Sequence, residues 1–171
     1  METSKALPTE ADSSKAIAPR SETEKPYSAR VLAARHSLGP LALGLGEEEV
    51  VHAVGQPAKR SGGIDEAATG LTSYVWSYPE LGLELHLSRS EANEPARLER
   101  MTAATPCKFI TNRGIGVGAA RAEVDTAYAA DYSKEEPPDE ERVVIDSIYD
   151  GLILSFTEGK VVSLFFGAAA E

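Results

Sequence analysis

Residues 112–129, NRGIGVGAARAEVDTAYA, contain a glycine spacing that could do cofactor chemistry. Gly114, Gly116 and Ala119 match the G-x-G-x-x-A pattern, in which backbone N–H groups at the start of a helix hold a dinucleotide pyrophosphate. A stretch with helical spacing follows the pattern directly. The sequence therefore raises the question of whether the chain binds a nucleotide.

The surroundings of this pattern favour a different interpretation. In a dinucleotide site a buried strand runs straight into the first glycine, and a second buried strand follows the helix. Here Asn112 and Arg113 separate the glycine from the preceding KFIT stretch, and the charged, proline-containing residues 130–142 follow the helix. Gly118 also has a counterpart, Gly44, in a stretch without the pattern. We expect the glycines to be turn residues, and we expect no cofactor.

Residues that could bind metal or act as nucleophiles are few. The histidines are His36, His52 and His86, and none has a spacing typical of a zinc site, so no metal is expected and surface positions are predicted for them. Cys107 could be a nucleophile only beside a histidine, and a small, semi-buried cysteine is the simpler interpretation. No serine lies in a G-x-S-x-G motif, so no catalytic residue is identified.

An aromatic stripe is the first candidate for protein binding. Tyr74, Trp76 and Tyr78 alternate along a predicted strand, so their side chains share one face. In one interpretation they pack beneath the helices as core. In the other they lie on the open face of the sheet, where tyrosine and tryptophan are favoured binding anchors, and Val75 then faces the helices.

A charged segment, ADYSKEEPPDEER (residues 130–142), is the second candidate. Its six acidic residues outnumber Lys134 and Arg142. Such a segment is typical of a mobile, solvated loop, but as a contact element it would steer a basic partner towards the protein. The candidate contact residues here are Tyr132, Glu135, Glu136, Asp139, Glu140 and Glu141.

The charge of the chain limits the class of partner. The formal net charge is −10, and the first 30 residues hold five acidic and five basic residues, so all of the excess lies in the remainder. An acidic body repels nucleic acid and anionic lipid and attracts basic proteins, although acidity also serves solubility. No apolar run approaches the length of a membrane span.

The N-terminal residues 1–28 are rich in Ser, Thr, Glu, Lys, Ala and Pro, and this composition predicts a disordered polar tail. The tail has no apolar region typical of a secretory signal, and a single cysteine allows no intrachain disulfide. A bacterial-type cytoplasm is therefore expected. The alternative is a periplasmic lipoprotein whose leader precedes the present start, because the tail also resembles a lipoprotein spacer.

Two stretches of the chain that contain Gly44 and Gly118 resemble each other, and this repeat predicts the helices and strands that position the candidate residues. Residues 41–55 align with residues 115–129 at an offset of 74. The alignment brings Gly44 onto Gly118, Glu49 onto Glu123, Val50 onto Val124 and Ala53 onto Ala127. Each copy has an apolar-x-apolar-Gly entry followed by the apolar spacing of one helix face.

The similarity continues in predicted strands. ELGLELHL (80–87) matches YDGLILSF (149–156), with an apolar period of two. RLERMTA follows the first and KVVSLFF the second, the latter through a short hairpin with Gly159 available for positive φ. The expected fold class is α+β, with two tandem helix-plus-antiparallel-sheet repeats at 29–106 and 107–171.

This layout resembles the family of the beta-lactamase inhibitor protein and the BamE (SmpA/OmlA) lipoproteins. The residues that carry the resemblance are LGLGEEEVVHAVGQP and VWSYPELGLELHL in the first copy, and TNRGIGVGAARAEVDTAYA and IYDGLILSFTEGKVVSLFFG in the second. The resemblance implies binding to a protein: the tandem member blocks an enzyme, and single-repeat members act in assembly. The chain lacks the paired cysteines of the secreted inhibitor.

The leading hypothesis is therefore a non-enzymatic protein-binding module that masks or inhibits a basic partner, such as an enzyme or toxin. One alternative is an envelope assembly or scaffold protein. The other is a small enzyme or ligand-binding domain of unrecognised type, which would require a closed apolar pocket between the repeats containing a carboxylate or His36, whereas a continuous sheet with a filled core would count against it.

Overall fold

A computed structural model describes residues 34–67 and 69–169 of the chain. The predicted polar tail, residues 1–28, lies outside the described residues. In the first half of the chain, up to Ala104, the described residues form seven strands, one α-helix and one 3-10 turn. Their order is β1 (Ser37–Leu38), β2 (Leu41–Ala42), α1 (Glu47–Val54), β3 (Lys59–Arg60), β4 (Ile64–Asp65), β5 (Thr72–Tyr78), the 3-10 turn (Pro79–Leu81), β6 (Leu83–Arg89) and β7 (Arg97–Ala104).

The second half continues with α2 (Arg121–Tyr128), a 3-10 turn (Ala129–Asp131), β8 (Arg142–Ile145), β9 (Leu152–Thr157) and β10 (Lys160–Phe166). The protein is α+β, as the sequence predicts, with a mainly antiparallel sheet and two α-helices of eight residues each among the described residues.

The two halves share one antiparallel sheet, a point that the sequence leaves open. The strand order is β3-β5-β6-β7-β10-β9-β8, and β4 pairs with β5 beside β3. The halves meet where β7 pairs with β10, with Ala103 opposite Leu164 and Met101 opposite Phe166. The expected boundary between residues 106 and 107 therefore separates two halves of a continuous sheet.

Both helices begin through the same local interaction. In α1 the Glu49 carboxylate accepts the N–H of Gly46 (2.8 Å), and in α2 the Glu123 carboxylate accepts the N–H of Ala120 (2.6 Å). Each glutamate thereby satisfies one of the N–H groups that a helix start leaves unpaired.

The face of each helix that meets the sheet is apolar, as the i, i+4 spacing predicts. Val50 of α1 is fully buried, as are Val124 and Tyr128 of α2. They belong to one hydrophobic cluster with the inward side chains of β5–β10, including Leu85. Packing an apolar helix face on one side of a sheet produces a two-layer fold with one core.

β6 begins later than the sequence predicts, and β8 ends early at a turn. β6 begins at Leu83 because Pro79–Leu81 form a turn that ends in the left-handed conformation of Gly82 (φ 62°). β8 ends at Ile145 because Asp146 also adopts a positive φ, 66°. The hairpin between β9 and β10 is confirmed, with Gly159 at φ 72°.

Candidate functional site

The aromatic stripe lies on the core face of the sheet. Trp76 is 3% exposed and Tyr78 is 4% exposed, and the Tyr78 hydroxyl donates to the Gly55 carbonyl (3.0 Å). The Arg60 guanidinium covers the Trp76 ring at 4.1 Å from its centroid. Tyr74 is half-buried on the same face.

The interpretation that puts Tyr74, Trp76 and Tyr78 on the open face as exposed anchors is therefore wrong, and the core interpretation is correct. Alternation shows that the three side chains share a face but does not say which face the helices cover. Here the helices cover it, so Val75 turns to the open side, where it is half-buried.

The acidic segment is held to the sheet by its backbone. Tyr132 forms an antiparallel bridge with Ile145, and the Ser133 N–H donates to the Val144 carbonyl (2.9 Å). Residues 132 and 133 thus pair along the outer edge of β8. An edge strand covered in this way offers fewer unpaired backbone groups to other chains.

Asp139 fixes the remainder of this segment. Its carboxylate accepts the N–H groups of Glu141 (2.8 Å) and Arg142 (2.7 Å), a local arrangement that aspartate commonly adopts in turns. Its carbonyl accepts a hydrogen bond from the Arg121 guanidinium (2.6 Å), which ties the turn to the start of α2. The segment is therefore a shaped loop with defined contacts at both ends.

We call residues 134–141 the acidic loop. Glu135, Asp139, Glu140 and Glu141 are exposed, whereas Glu136 is half-buried with its carboxylate 3.8 Å from the Arg142 guanidinium. Four of the predicted contact residues in this region thus expose their carboxylates to solvent. All four lie in the acidic loop, whose backbone is fixed by hydrogen bonds.

Tyr132 does not offer its hydroxyl to solvent partners. The hydroxyl donates to the Asp125 carboxylate, which also accepts a hydrogen bond from Arg121 (2.9 Å). Burial of the phenol, followed by the nearby Asp125 carboxylate, raises the pKa of Tyr132 to about 12. The same hydrogen bonds from Tyr132 and Arg121 lower the pKa of Asp125. This network fastens the acidic loop to α2.

The Tyr132 phenol gives a testable pH dependence. Because its folded-state pKa of about 12 lies above the ordinary value of 10.0, its stabilising contribution is complete below pH 10 and is lost as the pH rises towards 12. In a titration followed by tyrosinate ultraviolet absorbance, Tyr132→Phe is expected to remove one ionisation near pH 12. Tyr149→Phe, at an exposed site, is the control and should retain it.

The open face of the sheet borders the acidic loop. Arg142 lies on this face, because the neighbouring Val143 points into the core and is fully buried. The Glu136 carboxylate beside Arg142 therefore marks the junction of loop and face. Further along, Phe165 is half-buried and Val162, at an irregularity in β10, is 41% exposed.

The residues of the G-x-G-x-x-A pattern form turns and a bridge. Gly114 (φ 82°) and Gly118 (φ 90°) adopt positive φ, and Gly116 bridges Ile110. The interpretation of Gly114 and Gly118 as turn residues is confirmed. At the start of α2 the Glu123 carboxylate accepts the N–H of Ala120.

A buried polar cluster that sequence reasoning missed involves His36. Its Nε2 lies 2.6 Å from the Asp146 carboxylate, which also accepts a hydrogen bond from Arg35 (2.5 Å). His36 is 9% exposed, so the prediction of a surface histidine is wrong at this position. The pair joins residues 110 positions apart, and no local signal in the sequence relates them.

The remaining histidines and the cysteine lie where they make ordinary structural contacts. His52 is exposed, and His86 is half-buried with Nε2 3.0 Å from the Glu84 carboxylate. Cys107 is 4% exposed, more deeply placed than the predicted semi-buried position, and burial raises the pKa of its thiol. A raised pKa disfavours the nucleophilic thiolate.

Within residues 34–67 and 69–169, three or more His, Cys, Asp or Glu side chains nowhere gather in a way that could hold a metal ion. In the same part of the chain, none of the helices has the length and apolar character needed to cross a membrane. Comparison with protein-family models, curated proteins and solved structures finds no match to this chain.

Proposed function

We propose that this protein is a non-enzymatic binding module that masks or inhibits a partner protein with a basic surface. The observation that carries the proposal is the acidic loop, whose exposed carboxylates at Glu135, Asp139, Glu140 and Glu141 stand on a backbone fixed by hydrogen bonds. Polar contacts held in place before association lose less conformational freedom on binding.

The electrostatics of the whole chain favour the same class of partner. With a formal net charge of −10, the protein attracts a basic protein over several ångströms and orients it before contact. In the proposal, the acidic loop is the surface that the basic partner contacts after this electrostatic attraction. The adjoining open face contributes the half-buried Phe165 and the exposed Val162, which suits an apolar centre bordered by charge.

We further propose that the two halves are copies of one unit, as in the inhibitor family that the sequence resembles. Equivalent backbone contacts support this: the N–H of Gly44 donates to the Leu98 carbonyl (2.7 Å), and the N–H of Gly118 donates to the Val161 carbonyl (2.7 Å). The two glycines are the pair that the sequence alignment matches, and both adopt positive φ.

A second set of equivalent contacts supports the duplication. Gly82 and Gly151 are also matched by the alignment, and each precedes an inward-facing leucine strand. The Gly82 carbonyl accepts the N–H of Ala104 (2.9 Å), and the Gly151 carbonyl accepts the N–H of Gly167 (3.1 Å). Two copies side by side build a wide sheet, and in the proposal its open face and acidic edge serve recognition.

The test compares two variants of equal charge as baits for protein capture from the source cells. One carries Glu135→Lys, Glu140→Lys and Glu141→Lys in the acidic loop. The control carries Glu48→Lys, Glu80→Lys and Glu91→Lys at exposed positions of the first half. The wild type and the control are expected to retain one stoichiometric basic protein, whereas the loop variant loses at least about tenfold in affinity.

Two results would contradict the proposal. Equal capture by the loop variant and the wild type would remove the acidic loop from the contact surface. Turnover of a small substrate by the purified protein, with no protein captured, would favour the alternative of an enzyme.

A further inference from the structure

A second feature of the open side is a pocket of about 480 Å³ that spans the two halves. The half-buried Leu43 and Leu71 of the first half line it together with the almost fully buried Leu87 and Leu98, and Tyr149 of the second half forms part of its wall. Tyr149 is 63% exposed, so most of its ring is accessible to a partner. The pocket therefore offers apolar contacts and an accessible aromatic side chain.

An ionised carboxylate lies in this pocket. The hydroxyls of Ser73 (2.5 Å) and Thr69 (3.0 Å) donate to Glu66, and these two hydrogen bonds are the main causes that lower the pKa of Glu66. Each hydroxyl donates to a different oxygen, and a carboxylate has about four acceptor positions, so Glu66 keeps capacity for a further donor.

A buried hydroxyl beside it lacks a partner within the described part of the chain. Ser88 is 5% exposed, and its Oγ makes no hydrogen bond there. Ser88 lines both the main pocket and an adjoining hollow of about 260 Å³. Buried hydroxyls are normally paired, so an unpaired one at the junction of two hollows points to a polar group supplied from outside.

We propose that this pocket receives one arginine side chain of the partner protein, with its guanidinium at Glu66 and its stem against Leu71. The inference rests on the proposed function, because it specifies how a basic partner is anchored. A guanidinium has five donors in a planar fork, and its two acceptors lie close together, because Ser88 is directly opposite Ser73, which donates to the Glu66 carboxylate. The apolar stem can pack on the half-buried Leu71, and the exposed Tyr149 ring can stack on the cation.

The charges around the pocket favour a cation over an anion. The carboxylates that line it are Glu66, Glu99 and Asp150, and the basic side chains are Arg97, Arg100 and His86, of which Arg100 and His86 also help to lower the pKa of Glu66. Arg97 also donates to the Gly44 carbonyl (3.2 Å). The carboxylates outnumber the guanidinium groups, so an incoming positive charge meets a small excess of negative charge.

The experiment titrates the full-length protein with Nα-acetyl-arginine methylamide and follows backbone amide shifts by NMR. Shifts are expected in residues 66–73, 86–88 and 149–150. The uncharged isostere Nα-acetyl-citrulline methylamide and the variant Glu66→Gln should each weaken binding by about tenfold. The control variant Glu80→Gln, at an exposed site outside the pocket, should bind the probe like the wild type.

Equal binding of the citrulline probe, shifts confined to other residues, or an absence of binding would overturn the arginine pocket. Stronger binding of Nα-acetyl-glutamate methylamide would also overturn it and would identify the pocket as an anion site on Arg97 and Arg100. The probe titration needs no partner protein, so its failure is distinguishable from a failure of the capture experiment on the acidic loop.

Discussion

Replacing Gly82 with alanine is expected to destabilise the protein by about 2–5 kcal/mol, because a backbone clash adds to the cost of a left-handed residue. A Cβ at this position would lie 2.1 Å from the Ala104 carbonyl oxygen and 2.6 Å from the Cys107 nitrogen. Both atoms belong to the backbone, so relief requires the end of β7 to move away from the turn before β6. Urea unfolding of the wild type and the variant measures the loss.

Gly118→Ala is the matched control. Gly118 also adopts a positive φ, 90°, but apart from its two chain neighbours no atom of the described residues would lie within 4 Å of a Cβ there. The control therefore isolates the conformational cost of alanine in a left-handed conformation, about 1–2 kcal/mol. Equal losses in the two variants would contradict the close packing of Gly82 against the segment that joins the two halves.

Trp76→Ala is expected to cost about 3–5 kcal/mol of unfolding free energy, because it empties a large volume inside a packed core. Trp76 is 3% exposed and belongs to the same hydrophobic cluster as Leu85, its neighbour across the strand pair. Urea unfolding followed by circular dichroism measures the change without depending on the indole that the substitution removes.

Arg60→Ala provides the comparison for Trp76. The Arg60 side chain is exposed and covers the indole ring, so its loss removes a cation–π contact of roughly 0.5–1 kcal/mol and leaves the core filled. If Trp76→Ala instead left stability unchanged and weakened partner binding, Trp76 would be an exposed anchor and its assignment to the core would be wrong.

The parts of the fold that depend on local patterns could be predicted from the sequence. The apolar patterns of RLERMTA and KVVSLFF identify β7 and β10 to within a residue, because one face of each strand is apolar. In each helix a glutamate directly precedes the buried valine. These residues, Glu49 and Glu123, cap their own helices and so indicate where each helix begins. Gly159 identifies the last hairpin through its conformational freedom.

The parts that depend on distant pairing could not be predicted. The side of the sheet that buries Trp76 depends on where the helices pack, and alternation is the same for both sides. The join between β7 and β10 requires two strands about 60 residues apart to pair. The same holds for His36 and Asp146, whose contact depends on the turn after β8.

In the candidate site, too, local features could be predicted from the sequence and contacts between distant residues could not. The sequence identifies the acidic composition of residues 134–141, because charge can be counted directly. It does not reveal that Asp139 and Arg121 fix the acidic loop, because these contacts join a turn to a helix start 18 positions earlier. Glu66, Ser88 and Tyr149 were missed as pocket residues, since they come together only through the assembled sheet.

The association rate between this protein and its captured partner tests the central claim, that the acidic loop recognises a basic protein. The account predicts that Glu135→Lys, Glu140→Lys and Glu141→Lys together slow association by about tenfold or more at low ionic strength and flatten its dependence on salt. The control variant of equal net charge should associate much faster than the loop variant. Equal rates for the two variants, or a rate for the loop variant equal to that of the wild type, would contradict the claim.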